Sequence, residues 1–276
     1  MRLATVRRPD GTTAAARLDG DELVPLPYPD VVALLAEAGW RDATGGAAGE
    51  RIPLAGADLA PVVRPTKVIC VGLNYRSHIE EMGRGFPDHP TLFIKFPDTL
   101  TGPYDDLVIP HLSAEVDWEV ELGVVIGQPA RRVDKAGAAA CIAGYTVVND
   151  ISMRDWQWRT TQWDQGKNFE ASTPVGPFLV TGDEIGDAAD LEVTCTVDGQ
   201  RMQTGRTCDL LFGPAAIVSY ASQFTTLRPG DLIATGTPAG VGAGRDPKVF
   251  LAPGQVLETA IEGIGLCRNL MVEDKG

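Results

Sequence analysis

Residues Glu115 to Gly127 read EVDWEVELGVVIG, with acidic side chains at every second position: Glu115, Asp117, Glu119 and Glu121. The run that follows, Leu122 to Ile126, is apolar and largely β-branched, which predicts a strand. Successive side chains of a strand point to opposite faces. One continuous strand would therefore set all four carboxylates on one face and Val116, Trp118, Val120 and Leu122 on the other. Like charges so close repel unless something positive lies among them. Two readings of the pattern stand, a solvated sheet face or a cation site built from carboxylate oxygens.

Composition narrows the choice of partner. The chain has 276 residues and a formal charge of -13, with no basic run, so nucleic acid and anionic membrane surfaces are poor partners. The opening MRLATVRRPDG is no charged-then-apolar leader, and no apolar run is long enough to span a bilayer; the expected location is cytoplasmic. Five scattered cysteines, Cys70, Cys141, Cys195, Cys208 and Cys267, form no CxxC pair and are expected to be reduced and mostly buried. Only three histidines are present, His78, His89 and His111, so a metal would be held mainly by oxygen.

The chain is expected to divide near Pro61 to Pro65. Residues 1 to 60 suggest strands around Leu3 to Arg7, Ala14 to Leu18 and Glu22 to Val24, then a helix at Val31 to Ala38. Further strands are expected at Lys67 to Gly72, Leu92 to Lys95, Glu119 to Ile126, Ala143 to Val148, Leu191 to Val197, Leu232 to Ala234 and Val256 to Ile261. Asp198-Gly199, between VTCTV and QRM, is a two-residue hairpin signal. Helices are fewer: Val133 to Ala140 with Asp134 near its start, a segment after Asp150, and a short helix within Gly72 to Gly83. The glycine-rich TGTPAGVGAG, Thr235 to Gly244, follows a strand but runs into Arg245-Asp246-Pro247. Without a helix N-terminus it is not a dinucleotide site. No GxSxG elbow and no GxxxxGK[ST] phosphate loop is present.

Two carboxylates at i and i+2, joined by a third from a neighbouring strand, suit a hard cation such as Mg2+. The third candidate is Asp150, at the polar end of IAGYTVVND, where a helix cap is the other reading. Arg154 stands four residues on, so a helix there would put it on the face of Asp150.

Four co-linear blocks, VDWEVELGVVIG, YTVVNDISMRDWQ, QGKNFEASTPVGPFLVT and LRPGDLIATGTPAGVG, resemble the fumarylacetoacetate hydrolase family. The resemblance covers roughly residues 66 to 272, and residues 1 to 63 resemble the small N-terminal domain of many bacterial members. It implies an α+β, β-rich fold, with a large mixed β-sandwich or β-roll catalytic domain over 64–276 and a small αβ domain over 1–63. It implies Mg2+ or Mn2+ on Glu119, Glu121 and Asp150, with Asp117 behind them and Glu115 solvated. Arg154, Gln157 and Thr237 match substrate-binding positions, and Lys167 matches the lysine that contacts the substrate or polarises its carbonyl. His78 and Glu81, in NYRSHIEEM, match the pair that activates water in hydrolase members.

The implied substrates are small 2-oxo or β-diketo acids that chelate the ion, and the implied assembly is a homodimer. The favoured reaction is hydrolysis of a carbon-carbon bond in an acylpyruvate. Decarboxylation of oxaloacetate, isomerisation of a 2-hydroxy-diene dioate, and a metal-free binding protein are the alternatives. Phe96 is a departure, since relatives commonly carry proline directly after the matching lysine. Trp156, Trp158 and Trp163 stand as a pocket wall or as core and oligomer contacts. The stretch Glu80 to Pro90, with Gly83, Gly85, Pro87 and Pro90, is expected to be a mobile lid.

Overall fold

The computed structural model describes residues 1–275. Its backbone is an eleven-stranded sheet, a five-stranded sheet and a two-stranded ribbon. Across the large sheet the main path runs Ile52–Pro53, Glu22–Pro25, Thr13–Asp19, Arg2–Arg7, Thr173–Thr181, Ile142–Asn149, Val120–Ile126, Leu232–Ala234, Val68–Gly72 and Thr91–Lys95. The first 60 residues thus do not form a separate sheet. Arg2 and Leu3 pair antiparallel with Val180 and Leu179, and the large sheet continues through them.

The central strands read as continuous apolar runs because both of their faces are covered. Val120–Ile126 and Thr173–Thr181 are buried at every position. Val120, Leu122, Val124 and Ile126 face a core shared with Val193, Cys195, Leu257 and Ile261 of the five-stranded sheet. Val125 faces the opposite layer, with Leu3, Val31, Leu34 and Leu232. Glu121 stands on the Val125 side, so a carboxylate occupies a position that the pattern of burial assigns to the interior.

The strand expected at Glu119 to Ile126 is present as Val120–Ile126, but the continuous strand that would align all four acids does not form. Val116–Asp117 pairs with Ser152–Met153 in the ribbon, and Val120–Ile126 lies in the large sheet. Between them the ladder gives way to side chains. Asp117 Oδ1 accepts from the Trp118 amide at 2.8 Å, and Asn149 Oδ1 from the Glu119 amide at 2.9 Å. The solvated-face reading fails with it, since Asp117, Glu119 and Glu121 are all buried and only Glu115 is half-buried.

Elsewhere local chemistry decides as anticipated. Asp198 (φ 50°) and Gly199 (φ 76°) join Glu192–Val197 to Gln200–Arg206 as a tight hairpin. Asp134 caps Lys135–Ala140, its carboxylate accepting from the Gly137 amide at 2.7 Å. The longest helix, Pro214–Phe224, was not anticipated; Pro214 at its first turn starts it, and Ile217, Val218, Ala221 and Ser222 bury its inner face. The five cysteines are free, and four of them are buried.

Candidate active site and metal centre

The site lies where Val120–Ile126 begins and Ile142–Asn149 ends, Val120 and Asn149 being paired, with Lys95 reaching in from Thr91–Lys95. One carboxylate oxygen from each of Glu119, Glu121 and Asp150 lies within 4.8 Å of the other two, and all three residues are buried. Asp150 directly follows its strand. Its amide donates to the Glu119 carbonyl at 2.8 Å, which fixes the two backbones side by side.

Three cations surround these acids. Lys167 Nζ bridges Glu119 Oε2 at 2.7 Å and Asp150 Oδ2 at 2.6 Å. Lys95 Nζ, 1% exposed, holds Asp150 Oδ1 at 2.6 Å and the Ile151 carbonyl at 3.2 Å. Arg154 donates through Nε to Asp117 at 2.8 Å, through Nη2 to Glu119 at 2.6 Å and through Nη1 to Gln157 at 2.8 Å. The helix expected after Asp150 is a single turn, Arg154–Gln157, which begins after the ribbon strand Ser152–Met153. Asp150 therefore lies outside it, and the predicted Asp150 and Arg154 pairing on one helix face does not form. Arg154 reaches instead across to the acidic segment.

Lys167 comes from a second one-turn helix, Asp164–Lys167, packed on the first. Gly166 makes that contact possible, because a Cβ there would stand 2.4 Å from the Gln157 nitrogen and 2.5 Å from the Met153 carbonyl oxygen. Asn168 then ties this helix to the Lys95 strand, accepting from the Phe96 amide at 2.6 Å and donating to the Ile94 carbonyl at 3.0 Å. A proline at position 96 would have no amide to donate, so the departure noted in sequence accompanies a bond that proline cannot make.

The charges do not balance. Asp117, Glu119, Glu121 and Asp150 face Lys95, Arg154 and Lys167: four acids to three bases, a difference of one. Among the described residues Glu121 has no cationic partner, and its Oε2 accepts only from the Gly236 amide at 2.7 Å. Burial, with Asp150 and Glu119 beside it, pushes its carboxyl well above the ordinary range. Burial works the same way on Glu119, but Arg154 and Lys167 outweigh it and hold that carboxyl well down. For Lys167, burial opposes the charge while Asp150 and Glu119 restore it, with a net upward shift. A divalent cation among the three carboxylates would supply the charge that Glu121 lacks, and an all-oxygen donor set suits a hard ion.

The glycine-rich stretch rejected as a dinucleotide site has another use. Its amides cap the site's acids, the buried Glu121 and Asp117 and the more exposed Glu81: Gly236 on Glu121, Gly240 on Glu81 at 2.9 Å, Gly242 on Asp117 at 2.7 Å and Ala243 on Asp117 at 3.0 Å. Thr237, in the same loop, accepts from Gln203 Nε2 at 2.7 Å, so its own hydroxyl proton remains available to a ligand.

His78 and Glu81 lie on the helix Arg76–Glu81, where i and i+3 share a face. The imidazole Nδ1 lies 2.9 Å from Glu81 Oε2. An ionised Glu81 accepts a hydrogen bond from Nδ1–H, which leaves Nε2 as the ring's acceptor. His78, Glu119, Glu121, Arg154, Gln157, Lys167 and Thr237 line one cavity of about 340 Å³. Its walls include Trp158 and Trp163, the latter edge-on to Phe93 with ring centroids 5.7 Å apart. Trp156 packs edge-on against Phe169 instead, its centroid 5.5 Å away.

A family model described as Fumarylacetoacetate (FAA) hydrolase C-terminal matches residues 67–272. The chain belongs to the fumarylacetoacetate hydrolase family. A mitochondrial oxaloacetate tautomerase of Homo sapiens is 46% identical over 216 residues, 78% of this chain and 69% of that protein. A 2,4-didehydro-3-deoxy-L-rhamnonate hydrolase of Sphingomonas is 46% identical over 215 residues, 77% of this chain and 75% of that one. Among solved structures, a fumarylacetoacetate hydrolase from Exiguobacterium antarcticum matches with a TM-score of 0.88 at 31% identity, over 99% of this chain and 100% of that one. A 2-hydroxyhepta-2,4-diene-1,7-dioate isomerase from Mycobacterium marinum matches with a TM-score of 0.81 at 34% identity, over the whole of both chains. The chain's relatives in the fumarylacetoacetate hydrolase family are thus enzymes that include hydrolases, isomerases and tautomerases. No helix among the described residues is long and apolar enough to cross a membrane.

Sequence reasoning missed Lys95. Its signal was a lysine closing an otherwise apolar strand, TLFIK, where only a buried acid would hold it.

Proposed function

We propose that this chain acts on a small 2-oxo or β-diketo acid through an enolate, and that it cleaves a carbon-carbon bond of the acylpyruvate type by hydrolysis. The observation that carries this reading is that Glu119 and Glu121 of the acidic triad line the same cavity as His78, whose partner is Glu81. Glu119, Glu121 and Asp150 would hold Mg2+ or Mn2+, which when bound supplies a Lewis acid for the enolate oxygen.

The remaining steps belong to side chains of this protein. His78 Nε2 takes a proton from water, and the resulting hydroxide adds to the carbonyl carbon remote from the 2-oxo acid. Glu81, itself held by the Gly240 amide, stabilises the imidazolium. The carbon-carbon bond then breaks, its electron pair passing into the enolate of the 2-oxo acid. His78 returns the proton to that carbon, so the products are a 2-oxo acid and a carboxylic acid. Arg154 has five N–H groups and uses three on protein acceptors, leaving two for a substrate oxygen. Thr237 and Gln157 stand at the same wall.

A second reading is keto–enol tautomerisation, isomerisation or decarboxylation of a 2-oxo diacid, favoured by the names of the human and mycobacterial relatives. In the proton-transfer versions the same histidine would shuttle a proton, and water need not attack. Kinetics on acetylpyruvate, fumarylpyruvate and oxaloacetate with Mg2+ separate the two readings. Under the hydrolase reading His78→Ala lowers kcat for acylpyruvate cleavage by about 10²- to 10⁴-fold and affects oxaloacetate decarboxylation far less. Equal, small losses on both would remove His78 as the water base.

A further inference from the structure

Six ionisable side chains line the cavity: His78, Arg84, Glu119, Glu121, Arg154 and Lys167. Arg154 is balanced by Asp117 and Glu119, and Lys167 by Glu119 and Asp150. Arg84 differs from both. Among the described residues its guanidinium has no carboxylate partner and no side-chain hydrogen bond; Arg84 is exposed to solvent while lining a cavity whose wall also includes the apolar Met82, Phe93 and Trp163.

The backbone at Arg84 is tied to the helix before it by two hydrogen bonds. Within the stretch Glu80 to Pro90, expected to be a mobile lid, Gly83 is a helix stop. It takes the left-handed conformation (φ 62°), and its amide donates to the Glu80 carbonyl at 2.9 Å. The Arg84 amide donates back to the Ile79 carbonyl at 3.0 Å. These two bonds make a Schellman motif, a common way to end a helix. Arg84 is thereby set three residues past Glu81, the last residue of the helix that also bears His78. Farther along the same stretch, His89 stacks on Tyr220 with ring centroids 5.9 Å apart.

With a divalent cation among the three carboxylates to take one anionic end, a cavity that also carries an unpaired guanidinium is complementary to a ligand that is anionic at both ends. We propose that Arg84 is the specificity-determining residue for the end of the substrate remote from its 2-oxo acid group, and that it selects substrates ending there in a second carboxylate. The favoured substrates are then 2-oxo diacids, with a fumarylpyruvate-like end preferred to an acetyl end. This rests on the 2-oxo acid reading above and deepens it.

Two ligand pairs test it. Fumarylpyruvate and acetylpyruvate share the 2-oxo acid head and differ at the remote end; 2-oxoglutarate and 2-oxopentanoate have equal chain length and differ by one carboxylate. Steady-state kinetics use the first pair. Calorimetric binding to the Mg2+-supplemented protein uses the second, and needs no turnover. In Arg84→Gln, KM for fumarylpyruvate should rise about tenfold or more, the scale of one lost hydrogen bond to a charged group, with a smaller change in kcat. The acetylpyruvate KM should move several-fold less, and the preference for 2-oxoglutarate over 2-oxopentanoate should collapse. Arg84→Lys should restore part of both preferences. Equal effects on both members of each pair, or none, would overturn the role of Arg84. Absence of turnover on either acylpyruvate by wild type, with a 2-oxoglutarate preference that Arg84→Gln abolishes, would overturn the hydrolase reading and leave the Arg84 assignment standing.

Discussion

Two arginines in this protein each grip two carboxylates, and burial makes them different devices. Arg7, at the end of the first strand, bonds Asp58 at 2.8 Å and Asp105 through two nitrogens at 2.8 and 2.6 Å. It fastens the N-terminal part of the large sheet to the loop entering Leu107–Ile109, but its side chain remains 30% exposed. Arg154 makes bonds of the same length to Asp117 and Glu119 with its side chain 6% exposed. Water can replace Arg7 if it is removed. Nothing replaces Arg154, so the same contact geometry is a surface clasp in one place and a condition for the buried acids in the other.

The largest effect should therefore follow Arg154→Met. Leaving Asp117 and Glu119 buried without their guanidinium should cost about 3–5 kcal/mol in urea unfolding. A loss as small as that of an exposed pair would erase the contrast.

Glu121→Gln should move stability the other way in the metal-free protein. Glu121 has its folded pKa raised, so the penalty is absent at pH values below the unfolded carboxyl pKa and grows as pH rises toward the folded one. The variant's advantage over wild type should widen between pH 5 and pH 8, read from unfolding midpoints in chelator. Glu119 has the opposite sign. Its folded pKa is lowered, so its contribution is present at neutral pH and fades as pH falls below the usual carboxylate range. A Glu121→Gln advantage that does not change with pH would mean that the three acids share their charge differently.

The smallest effect is expected at the clasp. Arg7→Ala should cost about 1 kcal/mol or less, since both of its acids regain water. Asp105 is held below the ordinary range, burial opposing and Arg7 prevailing, so the remaining contribution should vanish as pH falls through that lowered value. A cost near that of Arg154→Met would show that the clasp, despite its exposure, holds the sheet together.

What could be read from sequence was local. The hairpin at Asp198-Gly199, the Asp134 cap and the His78/Glu81 spacing each depend on residues within a few positions, and each is in place. The break at Trp118–Glu119 was not legible, because the groups that replace the ladder come from Asn149 and from the amides of Gly242 and Ala243, far along the chain. Arg154 was misdirected toward Asp150 because a helix was assumed to continue where a two-residue strand intervenes. Lys95 was invisible for the same reason as Glu121 was ambiguous: the strand pattern gives the face of a side chain, and only the packed layers decide whether water reaches it. The Pro214–Phe224 helix escaped because alanine and serine on its inner face blur the apolar period that marks a helix.

The account turns on Glu119, Glu121 and Asp150 forming one cation site. Calorimetric titration of chelator-treated protein with Mn2+, in wild type and in Glu121→Gln and Asp150→Asn, measures that directly. The prediction is one ion per chain in wild type and loss of that binding in both variants, with each variant's fold checked by circular dichroism. Uptake of one ion with unchanged affinity in either folded variant would contradict it.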